Sequence, residues 1–287
     1  MYPHRMEIKF QKMHGTRNDF IVFHDLTNSV ELSPDRVAAI CDRRAGVGAD
    51  GVIVVRSDES ADFFMDYMNS DGSLAEMCGN GIRCLAKYAY DNGLTRNTTI
   101  RVRTRAGIKM LRLFQGPDGL IDTVRVDMGR PVFDPALIPV DIQTETLPIV
   151  DHRIEAQGRA FDATIVSMGN PHCVIFVHDD PEELPVLYGP TIERHSLFPA
   201  RTNVEFVRVI DRTRILMRVW ERGSGETFAC GTGACAAVVA ARLKELVDPE
   251  TTVHLKGGDL LVEWQTFTSS VLMSGPSVSV YNGTINI

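Results

Sequence analysis

Cys78-Gly-Asn-Gly and Cys230-Gly-Thr-Gly set one short pattern into the chain twice, 152 residues apart (230 − 78) and close to half of its 287 residues. The same offset pairs Asn18 with Asn170, Gly51 with Asn203, and Asn69 with Glu221. Asn69 and Glu221 each precede their cysteine by nine residues (78 − 69 and 230 − 221). A single four-residue match is within reach of chance. Several polar positions at one offset are better explained by two homologous halves facing each other. Fixed-period repeats commonly build solenoids, but two units of this length suit a pseudo-twofold pair of α/β domains with a site in the cleft.

Local patterns agree with that division. EIKFQKM (Glu7–Met13), FIVFHD (Phe20–Asp25) and GVIVV (Gly51–Val55) read as strands bounded by turn residues, with FFMDYMNSDGS (Phe63–Ser73) ending in a turn. Ser33-Pro34 opens a capped helix with proline in its first turn. A second helix is expected from about Cys78 to Gly93, with Ile82, Leu85, Ala86 and Ala89 at helical spacing. Three more strands follow, then a proline-rich passage near Arg130–Pro148. Beyond it FDATIVSMG, HCVIFV, NVEFVRVI and RILMRVWERG read as strands, GTGACAAVVAARLKEL as a glycine-led helix, and the remainder as strands again.

Bulk properties narrow the setting. Thirty Lys+Arg stand against 37 Asp+Glu, a net charge of −7, which disfavours nucleic acid or an anionic membrane as the main partner. The opening MYPHRMEIKF has no apolar stretch, and the longest apolar run, Ala234–Ala241, is too short to span a bilayer. A cytoplasmic location is therefore expected, and the glycosylation-like triplets at Asn97 and Asn282 carry no weight. Six cysteines with no C-x-x-C pair match neither a disulfide framework nor the usual zinc spacings. A cysteine that does chemistry here is expected to do it as a thiolate, with no metal and no cofactor.

A cysteine followed by Gly-x-Gly at a helix start has a specific chemical capacity. The first-turn N–H groups lack intrahelical acceptors and the glycines let a ligand approach the backbone. Such a helix end attracts a carboxylate and favours thiolate over thiol. Two such units make a two-base device: one thiolate removes a proton from a carbon, and the opposite thiol returns one to the other face. The helix ends would stabilise negative charge as it grows onto the substrate carboxylate.

The residues resemble a known family at this point. MHGTRNDF (Met13–Phe20), GVGADG (Gly46–Gly51), NSDGSLAEMCGNGIRC (Asn69–Cys84), GNPHCV (Gly169–Val174), TNVEF (Thr202–Phe206) and ERGSGETFACGTGAC (Glu221–Cys235) are similar to diaminopimelate epimerase, from about Lys9 to Ile285. The resemblance implies an isomerase that interconverts LL- and meso-diaminopimelate in lysine and cell-wall precursor synthesis, with Cys78 and Cys230 as the paired bases. It implies substrate contacts at Asn18, Asn69, Gly79, Asn80, Asn170, Asn203, Glu221, Arg222, Gly231 and Thr232. Asn69, Asn170, Asn203 and Arg222 would hold the distal amino-acid end, while the two helix starts hold the carboxylate at the reacting carbon. His172 and Glu221 would contact the reacting amino group and help poise the thiols. A homodimer is also implied. The expected fold class is α/β (α+β), with two pseudo-symmetric domains, each a mostly antiparallel or mixed sheet or barrel wrapped around a central helix. The domains are expected at residues 1–129, with 276–287 returning to them, and at 130–275, the active site lying in the cleft between them.

Two departures from the family pattern stand out: Arg17, where a second glycine before Asn18 is common, and Gly51, where some members carry a glutamine that contacts substrate. Cys41, Cys84, Cys173 and Cys235 sit in apolar contexts and read as core. Gly46-Val-Gly-Ala-Asp-Gly matches the dinucleotide fingerprint by letter, but it follows a helix-like segment and leads into a strand, the reverse of the required order. Two alternatives remain for the whole chain. One is a racemase of another amino acid on the same architecture, in which a full distal set would not be expected. The other is a redox-sensing binding protein that uses a reversible Cys78–Cys230 disulfide.

Overall fold

The computed structural model describes residues 7–286. Met1–Met6, part of the stretch from which the lack of a leader is read, lies outside the described residues. In chain order the elements are β1 (Glu7–Gly15), β2 (Asn18–Asp25), α1 (Pro34–Cys41), β3 (Gly51–Arg56), β4 (Phe63–Asn69), α2 (Gly79–Asp91), β5 (Thr99–Thr104), β6 (Gly107–Gln115) and β7 (Ile121–Gly129). There follow β8 (His152–Ala156), β9 (Arg159–Ser167), β10 (Pro171–Phe176), α3 (Leu184–Glu193), β11 (Asn203–Asp211), β12 (Arg214–Glu221), β13 (Gly225–Glu226), α4 (Gly231–Leu243), β14 (Glu250–Leu255), β15 (Gly258–Glu263), β16 (Val271–Pro276) and β17 (Val278–Asn286). The chain is a mixed α/β protein. No helix among the described residues is long and apolar enough to cross a membrane.

Contacts divide the chain into two units. The first runs to Val126 and takes back the segment from Gly275; the second is Asp127–Ser274. In the first, β17 pairs with β1, and the order continues through β2, β3, β4, β5, β6 and β7. The β2/β3 and β4/β5 pairs are parallel and the others antiparallel. In the second unit β8 pairs with β9, followed by β10, β11, β12, β14, β15 and β16. There the β10/β11 and β12/β14 pairs are the parallel ones. The two units therefore repeat one alternation of pairings. The starts of β1 and β9, of β3 and β11, and of α2 and α4 are each 152 residues apart (159 − 7, 203 − 51, 231 − 79).

Each unit wraps its strands around one helix. Twelve of the thirteen residues of α2 and ten of the thirteen of α4 are buried. Small residues make this possible in α4, where Ala234, Ala236, Ala237, Ala240 and Ala241 have no accessible surface. α2 is wider and buries two tyrosines, Tyr88 and Tyr90. Separate apolar clusters pack elsewhere in each unit, around Phe23, Val37 and Val52 in the first and Phe161, Ile165 and Phe206 in the second.

Helix α1 forms as its sequence predicts, with Ser33 Oγ accepting from Arg36 N and Pro34 at the first helical position. Helix α3 has Pro185 in its first turn but no side-chain cap, and Gly189 and Pro190 lie within it. Its reason is packing: a Cβ added to Gly189 would stand 2.5 Å from Trp220 Cβ, so only glycine allows the helix to lie this close to β12. Gly46–Asp50 links α1 to β3, in the order helix, glycines, strand. Its glycines serve packing, since a Cβ on Gly46 would lie 2.2 Å from Ala39 O.

Candidate active site

Each unit ends its framework at a cysteine that caps the buried helix. Cys78 and Cys230 are the N-caps of α2 and α4, both with extended backbone, and each thiol sulfur accepts the N–H of the third helical residue. The distance is 3.4 Å in both cases, to Gly81 N and Gly233 N. Each sulfur thus stands at the positive end of a helix, an arrangement that stabilises a thiolate. Cys78 is part-exposed, whereas Cys230 is 5% exposed.

The first unit gathers three expected residues around its helix start. Cys78 Sγ lies 3.5 Å from Asn18 Oδ1, which also accepts from Asn80 Nδ2 at 3.3 Å. Asn18 Nδ2 donates to Asp50 Oδ2 at 2.8 Å, and Asp50 in turn pairs with Arg43. Asn80 Oδ1 accepts from Thr16 Oγ1 and from the buried Arg83 guanidinium at 3.0 Å. A second Arg83 nitrogen donates to Gly79 O at 3.0 Å, placing a cation against the first turn of α2. Asn69 sits at the end of β4, with its amide on Ser73 Oγ at 3.0 Å.

The second unit is built differently around the same helix start. Cys230 Sγ is 3.5 Å from Thr232 Oγ1. His172, wholly buried on β10, has Nδ1 at 2.7 Å from Glu205 Oε1 and Nε2 at 3.0 Å from Asn170 Oδ1. The two contacts hold the ring between the Glu205 carboxylate and the Asn170 side-chain amide. Asn203 Nδ2 donates to Pro171 O at 2.8 Å, and its Oδ1 accepts from Arg222 N at 2.9 Å, tying two expected contacts together. Arg222 is exposed, with Nη1 donating to Ala200 O at 3.2 Å. Glu221 accepts from Thr227 Oγ1.

These placements have electrostatic consequences. Burial, followed by the negative charges of Glu221 and Glu205, pushes the Cys230 thiol well above its ordinary value of 9.0. Loss of water around the Glu221 carboxyl raises it as well, against the opposing hydrogen bonds of Thr227 and Cys230. The remaining cysteines behave as core: burial raises Cys41 to about 11 and Cys84 to about 12.

The sequence matches the family model described as diaminopimelate epimerase over residues 10–133 and 164–280. The chain belongs to the diaminopimelate epimerase family. It is 45% identical to the diaminopimelate epimerase of Leptospira biflexa over 98% of this chain and all of that one. It is 46% identical to that of Acetivibrio thermocellus, over 98% and 99% respectively. Among solved structures it shares its fold with a hydroxyproline epimerase from Agrobacterium vitis (TM-score 0.68, 16% identity, 100% of this chain and 94% of the other). A PhzF-family phenazine biosynthesis protein from Bacillus anthracis gives a TM-score of 0.67 at 15% identity, covering 98% of this chain and all of the other. Both likenesses are of fold.

Of the two departures from the diaminopimelate epimerase pattern, Gly51 has a structural explanation, and nothing in the structure explains Arg17. Thr16 and Arg17, at φ 49° and 65°, form the two-residue turn between β1 and β2, a geometry that needs left-handed backbone at both positions. The matched position of the second unit is Gly169, at φ 97°. At Gly51, a Cβ would stand 2.5 Å from Met68 O and 2.6 Å from the Tyr67 ring, so a glutamine has no room in the present backbone.

Glu205 and Arg83 are absent from the residues expected from sequence. A carboxylate between Val204 and Phe206, in a strand buried at all three positions, is itself a signal, since such a group needs a partner.

Proposed function

We propose that the protein epimerises diaminopimelate at one α-carbon by proton transfer between Cys78 and Cys230. The observation that carries this reading is the repeated cap: in each unit a cysteine sulfur accepts the third N–H of a buried helix at 3.4 Å. Membership in the diaminopimelate epimerase family, with near-complete coverage of curated members of that name, supplies the substrate.

In the reaction, a thiolate takes the α-proton and becomes a thiol, and the bonding pair left on carbon delocalises into the carboxylate. The other thiol then gives its proton to the opposite face of the same carbon and becomes the thiolate. Charge that develops on the carboxylate is met by free N–H groups at the starts of α2 and α4, through Gly79-Asn80 and Gly231-Thr232. Asn69, Asn170, Asn203 and Arg222 hold the distal amino-acid end, whose carboxylate needs a cation and whose ammonium needs acceptors. His172 and Glu221 attend the reacting amino group, with Asn18 beside Cys78. On this reading the enzyme works in the cytoplasm, as a homodimer and without an added cofactor.

The test is incubation of reduced protein with LL-diaminopimelate in heavy water, with chelator and no cofactor, following stereochemistry and α-deuterium. Meso isomer carrying deuterium is the expected product. Folded protein with reactive thiols that gives neither inversion nor exchange would overturn the substrate assignment.

A further inference from the structure

The two helix starts carry opposite electrostatic surroundings at equivalent positions. Beneath the first turn of α2 lie apolar groups: a Cβ on Gly81 would meet Ile53 Cδ1 at 2.9 Å and the Phe20 ring at 3.4 Å. At the same offset (20 + 152, 53 + 152) the second unit has His172 and Glu205. There a Cβ on Gly233 would meet Glu205 Oε1 at 2.7 Å and Cys230 Sγ at 3.3 Å. Asn69 of the first unit is matched by Glu221, and the buried cation Arg83 by the neutral Cys235 (83 + 152). Cys230 is thus faced by Glu205 from β11 and Glu221 from β12, with His172 of β10 bonded to Glu205. Cys78 has Arg83 on its own helix, bonded to the adjoining Gly79 carbonyl, and is linked to Asp50 through the neutral Asn18 amide. Asp50 and Asp19 are both bonded to Arg43, and Asp19 is also paired with Lys12.

We propose that the two thiols are unequal in the resting enzyme, with the proton held on Cys230, and that Glu205 is the positioning residue that holds it there. Glu205 acts in two ways. One oxygen is hydrogen-bonded to His172 Nδ1 and so helps hold the ring between Glu205 and Asn170. The carboxylate also lies against the start of α4, since a Cβ on Gly233 would stand 2.7 Å from Glu205 Oε1 and 3.3 Å from Cys230 Sγ, so a second negative charge on the sulfur is disfavoured. Cys78, beside the Gly79 carbonyl that the Arg83 guanidinium holds, is the thiolate of the pair. The free enzyme is then primed to take a proton at Cys78 and deliver one from Cys230. Turnover in the opposite sense first requires the proton to move from Cys230 to Cys78. The inference rests on the two-thiol reading but is measured without substrate.

The experiment is alkylation of the reduced native protein by iodoacetamide across pH 5–10, with Cys78 and Cys230 followed separately by peptide mass spectrometry. Access scales each rate equally at every pH, so the midpoint of each profile reports ionisation alone. The expected result is a lower midpoint for Cys78 than for Cys230. In Glu205→Gln the Cys230 midpoint should fall, with about tenfold faster labelling at a fixed pH below it, while the Cys78 midpoint stays in place. Glu205→Asp, which keeps the charge, should restore most of the original Cys230 profile. Equal or reversed midpoints in the unmodified protein overturn the proposal even if no Glu205 variant folds. An unmoved Cys230 midpoint in folded Glu205→Gln removes Glu205 from it. Failure of the epimerisation assay leaves both readings of the thiols intact, so the two proposals can fall separately.

Discussion

Cys78 Sγ and Cys230 Sγ stand at the same 3.4 Å from the third backbone N–H of their helices, so each is at once the helix cap and the candidate acid/base. The two roles separate on substitution. Alanine at either position removes cap and thiol together; serine keeps a good cap acceptor but has a far weaker acid. Cys78→Ser and Cys230→Ser should melt within a few degrees of the unmodified protein, and each should lose at least about a hundredfold in kcat. The alanine variants should lose activity and also about 1 kcal/mol of stability. Near-normal turnover in either serine variant would end the two-base account.

Cys41 and Cys84 should be silent where Cys78 reacts. Burial raises Cys41 to about 11 and Cys84 to about 12. At pH 8 both are thiols, without surface to attack. Labelling of native protein at that pH, read by peptide mass spectrometry, should mark Cys78 and leave these two unmodified. In denaturant all should label. Cys84→Ala should change the melting temperature and leave kcat near its original value.

Arg17 is an unrelieved cost in the β1–β2 turn. It holds φ at 65°, where side chains other than glycine are disfavoured, and its own side chain is exposed. Arg17→Gly should stabilise the protein by about 0.5–1 kcal/mol in urea titration. A destabilisation would show that the arginine side chain contributes contacts that outweigh its backbone strain.

Asp25 makes the first unit sensitive to acid. Burial pushes its carboxyl up, but the N–H groups of Val30 and Ser29 and the hydroxyls of Thr27 and Ser29 outweigh it and bring it down from 3.8 to about 2. It is also paired with Arg56 at 2.8 Å. A depressed folded-state value means its stabilisation, about 2 kcal/mol by linkage, is complete above about pH 4 and lost as pH falls toward 2. Urea midpoints measured between pH 6 and 2 should fall across that window. Asp25→Asn should be less stable at pH 6 and show a shallower decline.

Sequence periodicity recovers the strands and helices that obey local rules, and the repeat recovers the equivalence of the two halves. It does not recover α3, because Gly189 and the interior Pro190 argue against a helix and the compensating contact, Gly189 on Trp220, is long-range. At the site, polar residues found in both halves were visible as matched positions: Asn18 with Asn170, Asn69 with Glu221. Glu205 escaped for the opposite reason. Its counterpart Ile53 is apolar, so the pair looks like two core strand positions until the hydrogen bond to His172 is seen. Arg83 escaped likewise, as one of several polar letters in its helix and with an apolar counterpart, Cys235. A repeat exposes what its copies share; what distinguishes them needs coordinates.

The strand next to β1 has a consequence for the order in which the protein can be assembled. In the second unit the equivalent strand, β8, immediately precedes β9 and can form a hairpin with it as soon as both have been made. In the first unit that place is filled by β17, which pairs with β1 over eight residues from the far side of the sequence. At translation rates of roughly 5–20 residues per second, β1 leaves the ribosome tens of seconds before its partner exists. The later-made half can therefore be complete while the earlier-made half still presents an open edge to chaperones or to other nascent chains.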